Sequence, residues 1–271
     1  MRRSAVPGWL EPWQQFTSCA IQRLGPRSST PHLVPSAKNV ELSATDSGVR
    51  RRALPIAAAD DGRSGTLYLM NKPKLTYFDA PVSRGEECRL ALHLAGIDFE
   101  DERINAATWQ AMKAETPYGG LPVLELPRHP PLAHSNAILV LIGRRHGLHP
   151  ADDFDAARHE GMMQHVEDLR AAVTPTIRMG DAEKRTAREA LVAGFLPAWA
   201  RFAERNILGE PFFGGPKLHV VDLKLHMAVR WFIGGKVDHI PATIFAGYSK
   251  LTAVYDAVRE HPGVNSWYAK A

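Results

Sequence analysis

Residues 74–89 read KLTYFDAPVSRGEECR, and this stretch decides the fold. Leu75, Tyr77 and Phe78 make a short β-prone run. Asp79 to Ser83 is turn chemistry: Pro81 fixes a backbone angle, and Ser83 is placed to cap a helix. From Arg84 onward, apolar residues recur at helical spacing through Cys88, Leu92 and Ala95, with Ala91 and Leu94 beside them. The pattern predicts a first strand over 74–79 and a first helix over 84–96, closed by Gly96. Tyr77 then ends the strand and faces the helix N-terminus. Free N–H groups at such a terminus favour negative charge. A phenol beside them is placed to donate a hydrogen bond to an anion.

Downstream, residues 99–104 read as a second strand and 106–115 as a short helical piece carrying Trp109 and Lys113. The segment TPYGGLPVLEL at 116–126 holds a Gly119–Gly120 turn and a strand over 123–126. Pro122 stands at the strand's start, where proline is tolerated. A tight connection at 127–131 leads to a two-residue strand at 132–133. Ser135 and Asn136 are placed to cap a helix running to about 145, with Ile138, Leu139, Leu141 and Ile142 on its apolar face. The order β-α-β-α-β-β-α is a thioredoxin-like pattern, a small mixed sheet with helices on both faces. After a linker at 147–153, everything reads helical, over 155–179, 183–206, 219–233, 248–260 and from 264. Pro175 and Pro197 are expected to kink or end those helices. The predicted fold is therefore an α/β thioredoxin-like domain at 72–149 followed by an all-α helical bundle at 154–271. His159, Met162, Met163, His165, Val166 and Leu169 share a face of the bundle's first helix and read as packing.

Residues 1–70 differ from the rest. The first 69 are rich in Pro, Ser, Arg and Ala and show no sustained periodicity. They carry the whole net charge of +4, so residues 70–271 are balanced. The one local charge run, Arg50-Arg51-Arg52, has no interleaved aromatics, which argues against a nucleic-acid partner. No apolar run approaches the roughly 18–20 residues of a membrane helix, so no membrane partner is expected. The leader reads as a disordered tail, an Arg- and Ser-rich transit peptide, or an upstream extension of a protein that begins at Met70. Cys19 and Cys88 form no metal or redox motif, which suits a reducing compartment. A cytoplasmic location is expected, with organelle import if the leader is a transit peptide.

The combination LTYF, RGE..R, PYGGLPVLEL and LAHSNAI, in this order, resembles the glutathione S-transferases over 72–271. It is most similar to the tyrosine-type classes (alpha, mu, pi, sigma). The resemblance implies a cytosolic homodimer with glutathione as co-substrate and a small electrophile or organic peroxide as its partner, in detoxification. Tyr77 would be catalytic, with Arg84 supporting the thiolate. Trp109 and Lys113 would hold the glycine end of glutathione. Leu121 and a cis Pro122 would meet the cysteinyl backbone, and Ser135 the glutamyl carboxylate. His134 stands where the family has glutamine. Glu160 falls where some classes place an acid that crosses the dimer to the glutamyl amine. The face of His159, Met162, Met163, His165, Val166 and Leu169 would be part of a dimer interface and substrate-pocket wall as well as packing. Met70 stands where the family's chains usually begin.

Seen without the resemblance, several of these residues have plainer readings. Tyr77 is a sheet-end tyrosine, Trp109 and Lys113 a solvated helix face, Ser135 an N-cap and Glu160 an exposed helix acid. The resemblance further implies that Asp222 is structural, in a capping motif where His219 replaces the usual Ser or Thr. Ser83 is the other hydroxyl able to activate a thiol. Cys88 is expected to be buried and inert. No CxxC, P-loop or GxGxxG is present, and the histidines lack paired ligand spacing, so no metal is expected. Two other activities stay open: a non-catalytic binding or interaction module of the same fold, and a glutathione-dependent isomerase.

Overall fold

The computed structural model describes residues 72–270. The expectations for the leader, with Met70, Arg50–Arg52 and Cys19, lie outside the described residues. Four strands form one sheet in the order β2-β1-β3-β4. Strand β1 (Lys74–Phe78) pairs parallel with β2 (Glu100–Ile104) and antiparallel with β3 (Val123–Glu125). Strand β4 (Leu132–Ala133) pairs antiparallel with β3. Because β1 is central, Leu75, Thr76 and Tyr77 are buried in succession, as expected for a strand covered on both faces.

Helix α1 (Ser83–Leu94) lies beneath this sheet and is closed by Gly96, whose φ of 68° is left-handed. Helix α2 (Ala106–Met112) is capped by Asn105, whose side chain accepts from the Thr108 amide. A single 3₁₀ turn, Lys113–Glu115, follows it. Helix α3 (Ser135–His146) completes the first half.

The rest is helical: α4 (Asp153–Val173), α5 (Asp181–Ala190), α6 (Leu196–Asn206), α7 (Val220–Ile233), α8 (Ser249–Glu260) and α9 (Pro262–Tyr268). The two long helices expected from the sequence are both interrupted, and proline is the reason. Pro175 lacks an amide N–H, and the chain tightens into a 3₁₀ turn at Thr174–Arg178. Ahead of Pro197, Leu191–Phe195 widens into a π turn, which makes room for the ring against the preceding carbonyls.

Helix α7 is buried on nearly every side, from Val220 to Val229. Its Asp222 accepts the amides of Phe213 and His219, both at 2.7 Å, and is structural as expected. Helix α1 packs against α3, α7 and α9, so the halves share one hydrophobic core. A charged residue on the inner face of α1 therefore has to find its partner inside the protein.

Candidate active site

Three segments meet at one end of the sheet. The β1–β3 pairing ends at Thr76 opposite Val123, and Val123 lies opposite Ala133 of β4. Tyr77 follows Thr76, Pro122 precedes Val123 and His134 follows Ala133, so all three lie at this end of the sheet. The Leu121–Pro122 peptide is cis. The residues expected from three separate motifs thus converge at one place.

Tyr77 is only 9% exposed. A Cβ on Gly85 would lie 2.0 Å from its Cδ1, so the first turn of α1 reaches the ring only because residue 85 is glycine. The Arg89 guanidinium stands 5.8 Å from the ring centroid. It also donates to the carbonyls of Phe78 (3.1 Å) and Ala80 (3.0 Å) and to Asp101 (2.8 Å), which fixes the loop after β1. Burial raises the Tyr77 phenol above its ordinary range, against the opposing pull of Arg84 and the Ser83 hydroxyl. The phenol is therefore protonated at neutral pH and is a hydrogen-bond donor.

Neither serine expected to cap a helix does so. Val82 occupies the cap position of α1, and Ser83 is already the first helical residue, with φ 58°. His134 occupies the cap position of α3 with φ 69°, and Ser135 follows as its first residue. A capping side chain bonds amides two or three residues on from an extended backbone. The left-handed turn delivers Ser135 past that position. Ser135 is buried instead, and its Oγ accepts from Lys224 Nζ at 3.4 Å.

Beneath these residues lies a cluster of buried charges. Lys224 of α7 is fully buried and donates to Glu87 (3.2 Å) and Glu167 (2.6 Å). Arg170 of α4 pairs with the same two carboxylates, to Glu167 at 2.7 Å. Arg84 donates to Glu167 through Nε (2.8 Å) and Nη2 (2.7 Å). Glu167 thus faces three cations, which overcome its burial and hold its carboxyl low, at about 2. Glu87, Glu167, Arg170 and Lys224 were all missed from sequence. Lys224 had a readable signal: a lysine in the otherwise apolar run VVDLKLHMAV must be paired if the helix is buried.

The remaining expected residues divide. Trp109 meets Phe78 edge-on at 6.2 Å, which ties α2 to the end of β1. Lys113 is exposed, with its side chain passing the Gly119 turn. His134 stacks on Tyr118 at 4.9 Å, a partner the sequence did not suggest. Glu160 stands apart. It accepts from Arg144 (2.8 Å) and bonds His149 (3.2 Å) at the rim of a groove of about 740 Å³ between α3 and α4. Cys88 is fully buried, and burial drives its thiol far above the ordinary range, as expected of an inert cysteine. Among the described residues, one grouping has the spacing of metal ligands: Asp181, Asp238 and His239. Asp238 there is already paired with Arg188 and Lys184.

Residues 73–144 match the glutathione S-transferase N-terminal domain, and residues 167–271 match the C-terminal domain. Glutathione S-transferase 1 of Ascaris suum is 30% identical, over 74% of this chain and 97% of the relative. The crystal structure of the glutathione S-transferase from Ascaris lumbricoides is 30% identical, with a TM-score of 0.60 over 73% of this chain and 97% of that one. The structure of prostaglandin synthase D of Nilaparvata lugens is 26% identical, with a TM-score of 0.64 over 73% of this chain and 98% of that one. The fold, the order of the motifs and these matches agree, and the chain belongs to the glutathione S-transferase family.

Proposed function

We propose that the protein is a glutathione S-transferase that activates the thiol of reduced glutathione for attack on an electrophilic carbon or an organic peroxide. One observation carries this reading: a buried, protonated phenol, Tyr77, stands at the sheet end where Pro122, His134 and Ser135 converge. A free thiol titrates near ~8.5, so little is thiolate at neutral pH. Tyr77 donates its O–H to the sulfur and stabilises the anion without giving up its proton. Arg84 adds positive charge from the same side. The thiol proton passes to solvent. At an electrophilic carbon the thiolate forms a C–S bond as the leaving group departs with its bonding pair. At an organic peroxide the thiolate takes one oxygen as the O–O bond breaks and the alcohol leaves, and a second glutathione reduces the sulfenic acid to disulfide and water.

The tripeptide lies along this edge. The Leu121 backbone takes the cysteinyl unit, Ser135 the glutamyl carboxylate beside His134, and Trp109 and Lys113 the glycine carboxylate. The cis Leu121–Pro122 peptide, the contact of Trp109 with Phe78 beside Tyr77 and the exposed Lys113 near the Gly119 turn support that placement. We further propose a homodimer, a cytoplasmic setting and a role in detoxification. The groove between α3 and α4, apolar at Leu132, Val140 and Leu141, supports the dimer. In the dimer Glu160, at the rim of this groove, would cross to the glutamyl amine. The free, buried Cys88 suits a reducing compartment.

The test is the conjugation rate with an electron-poor chloronitroarene under saturating glutathione. Removing one donor from a developing anion typically costs about 10²–10³-fold in rate. Tyr77→Phe is expected to fall in that range. A Tyr77→Phe variant that conjugates as fast as the natural enzyme would overturn the assignment.

A further inference from the structure

We propose that Lys224 is a positioning residue of the glutathione site, holding the Ser135 hydroxyl so that its proton faces the ligand's anionic end. The inference rests on the reading of Ser135 given under the proposed function. Lysine has donors only, whereas a serine oxygen accepts on its lone pairs and donates one proton. In the 3.4 Å contact Lys224 must be the donor and Ser135 Oγ the acceptor. The serine's own proton is left for another partner. Among the described residues, the Ser135 hydroxyl donates to no carbonyl or carboxylate. A carboxylate arriving at the start of α3 meets that proton and the helix's free amides.

The charges around the lysine point the same way. Arg84, Arg170 and Lys224 face only Glu87 and Glu167, three cations against two carboxylates. The two buried cations, Arg170 and Lys224, are matched by the two carboxylates, and the excess positive charge is carried by Arg84, whose side chain is 34% exposed. An anion seated at Ser135 meets a surrounding that is net positive. Lys224 is fully enclosed, so it acts through Ser135 and not as a direct ligand of glutathione. Its position on α7 makes the second half of the chain a contributor to a site built on the first.

The experiment measures glutathione binding by calorimetry and steady-state kinetics on the full chain. It compares the natural protein with Lys224→Met, Ser135→Ala and the double variant. Lys224→Met keeps the length of the side chain and removes its charge and donors. Losing a charge-assisted contact is expected to weaken binding about ten- to hundredfold. The loss falls on KM for glutathione, with kcat nearly unchanged, because the carboxylate is held equally before and during reaction. In the Ser135→Ala background the same change is expected to add little further loss.

Unchanged KM in a folded Lys224→Met variant overturns the proposal, as does a loss that simply adds to that of Ser135→Ala. If Lys224→Met does not fold, Lys224→Gln repeats the test. Failure of both to fold makes the lysine a structural residue first and also overturns it. If the natural protein itself does not bind glutathione, the proposed function fails rather than this inference.

Discussion

Two buried polar clusters both draw on α4 and the region of α7, and they solve burial in opposite ways. The first, at Glu87, Glu167, Arg170 and Lys224, keeps its charges and pairs them. The second is built from His149, His159 and His219. Their rings lie 6.1 Å apart (His149–His159) and 5.1 Å apart (His159–His219). Here burial keeps the imidazoles neutral: all three are held below their ordinary range, His159 down to about 3. Each also has a buried Nδ1 without a partner among the described residues. The paired cluster lies under Tyr77 and Ser135, and the neutral one lies at the start of α7, beside the Asp222 cap. Charge is retained where the proposed ligand is anionic and discarded where the fold needs only packing.

The largest expected effect comes from breaking the paired cluster. Glu87→Ala leaves Arg170 and Lys224 to share Glu167 alone. Removing one partner of a buried ion pair typically costs roughly 3–5 kcal/mol. Urea unfolding at pH 7.5 is expected to show a loss of that size. A loss under about 1 kcal/mol would mean that water reaches the cluster and that the two regions do not differ as described.

The imidazole cluster is expected to respond differently. His159→Leu removes an unpaired polar atom, so near pH 7.5 the change in stability should lie within about 1 kcal/mol. The difference should appear in acid. An unfolded histidine takes up a proton near pH 6.5, whereas folded His159 resists it down to about pH 3. The unfolded state therefore binds more protons in that window, and the histidine's contribution is lost as pH falls from about 6.5 towards 3. Subtracting the variant's stability from that of the natural protein cancels the other titrating groups, including Asp222, which burial pushes up to about 7. That difference should decline with falling pH. A flat difference would mean that His159 is not held neutral by burial.

The smallest effect concerns the neighbouring turn. Ser83 adopts a left-handed φ of 58°, which glycine adopts without strain. Ser83→Gly is expected to stabilise the fold by about 0.5–1 kcal/mol while keeping most of the conjugation rate. A rate loss as large as that of Tyr77→Phe would move the activating role to Ser83.

These regions also mark how far the sequence could be read. The strands, α1 and α3 were legible because local periodicity and turn chemistry encode them, whereas the grouping of Tyr77, Pro122 and Ser135 was legible only through the resemblance to a known family. The cap positions were not. Ser83 and Ser135 have the right side chains for capping, but the left-handed turn at His134 and the helical start at Ser83 shift each by one residue. Neither buried cluster was legible as a cluster. Glu87 and Lys224 are 137 residues apart in the chain, and His149 and His219 belong to elements that meet only in the folded protein. Local patterns carry no record of such pairings. Lys224 alone carried a local signal that could have been read, as a charge inside an apolar helix.

The central claim is that Tyr77 holds the glutathione sulfur as a thiolate. The most direct measurement is the ultraviolet difference spectrum of bound glutathione, titrated with pH, for the natural protein and Tyr77→Phe. The expected result is a thiolate band whose pKa is lowered by about one to two units, each unit being ~1.4 kcal/mol of stabilisation, and restored to the free value in the variant. A band with the same lowered pKa in Tyr77→Phe would contradict the account and move the activating role to Arg84 or Ser83.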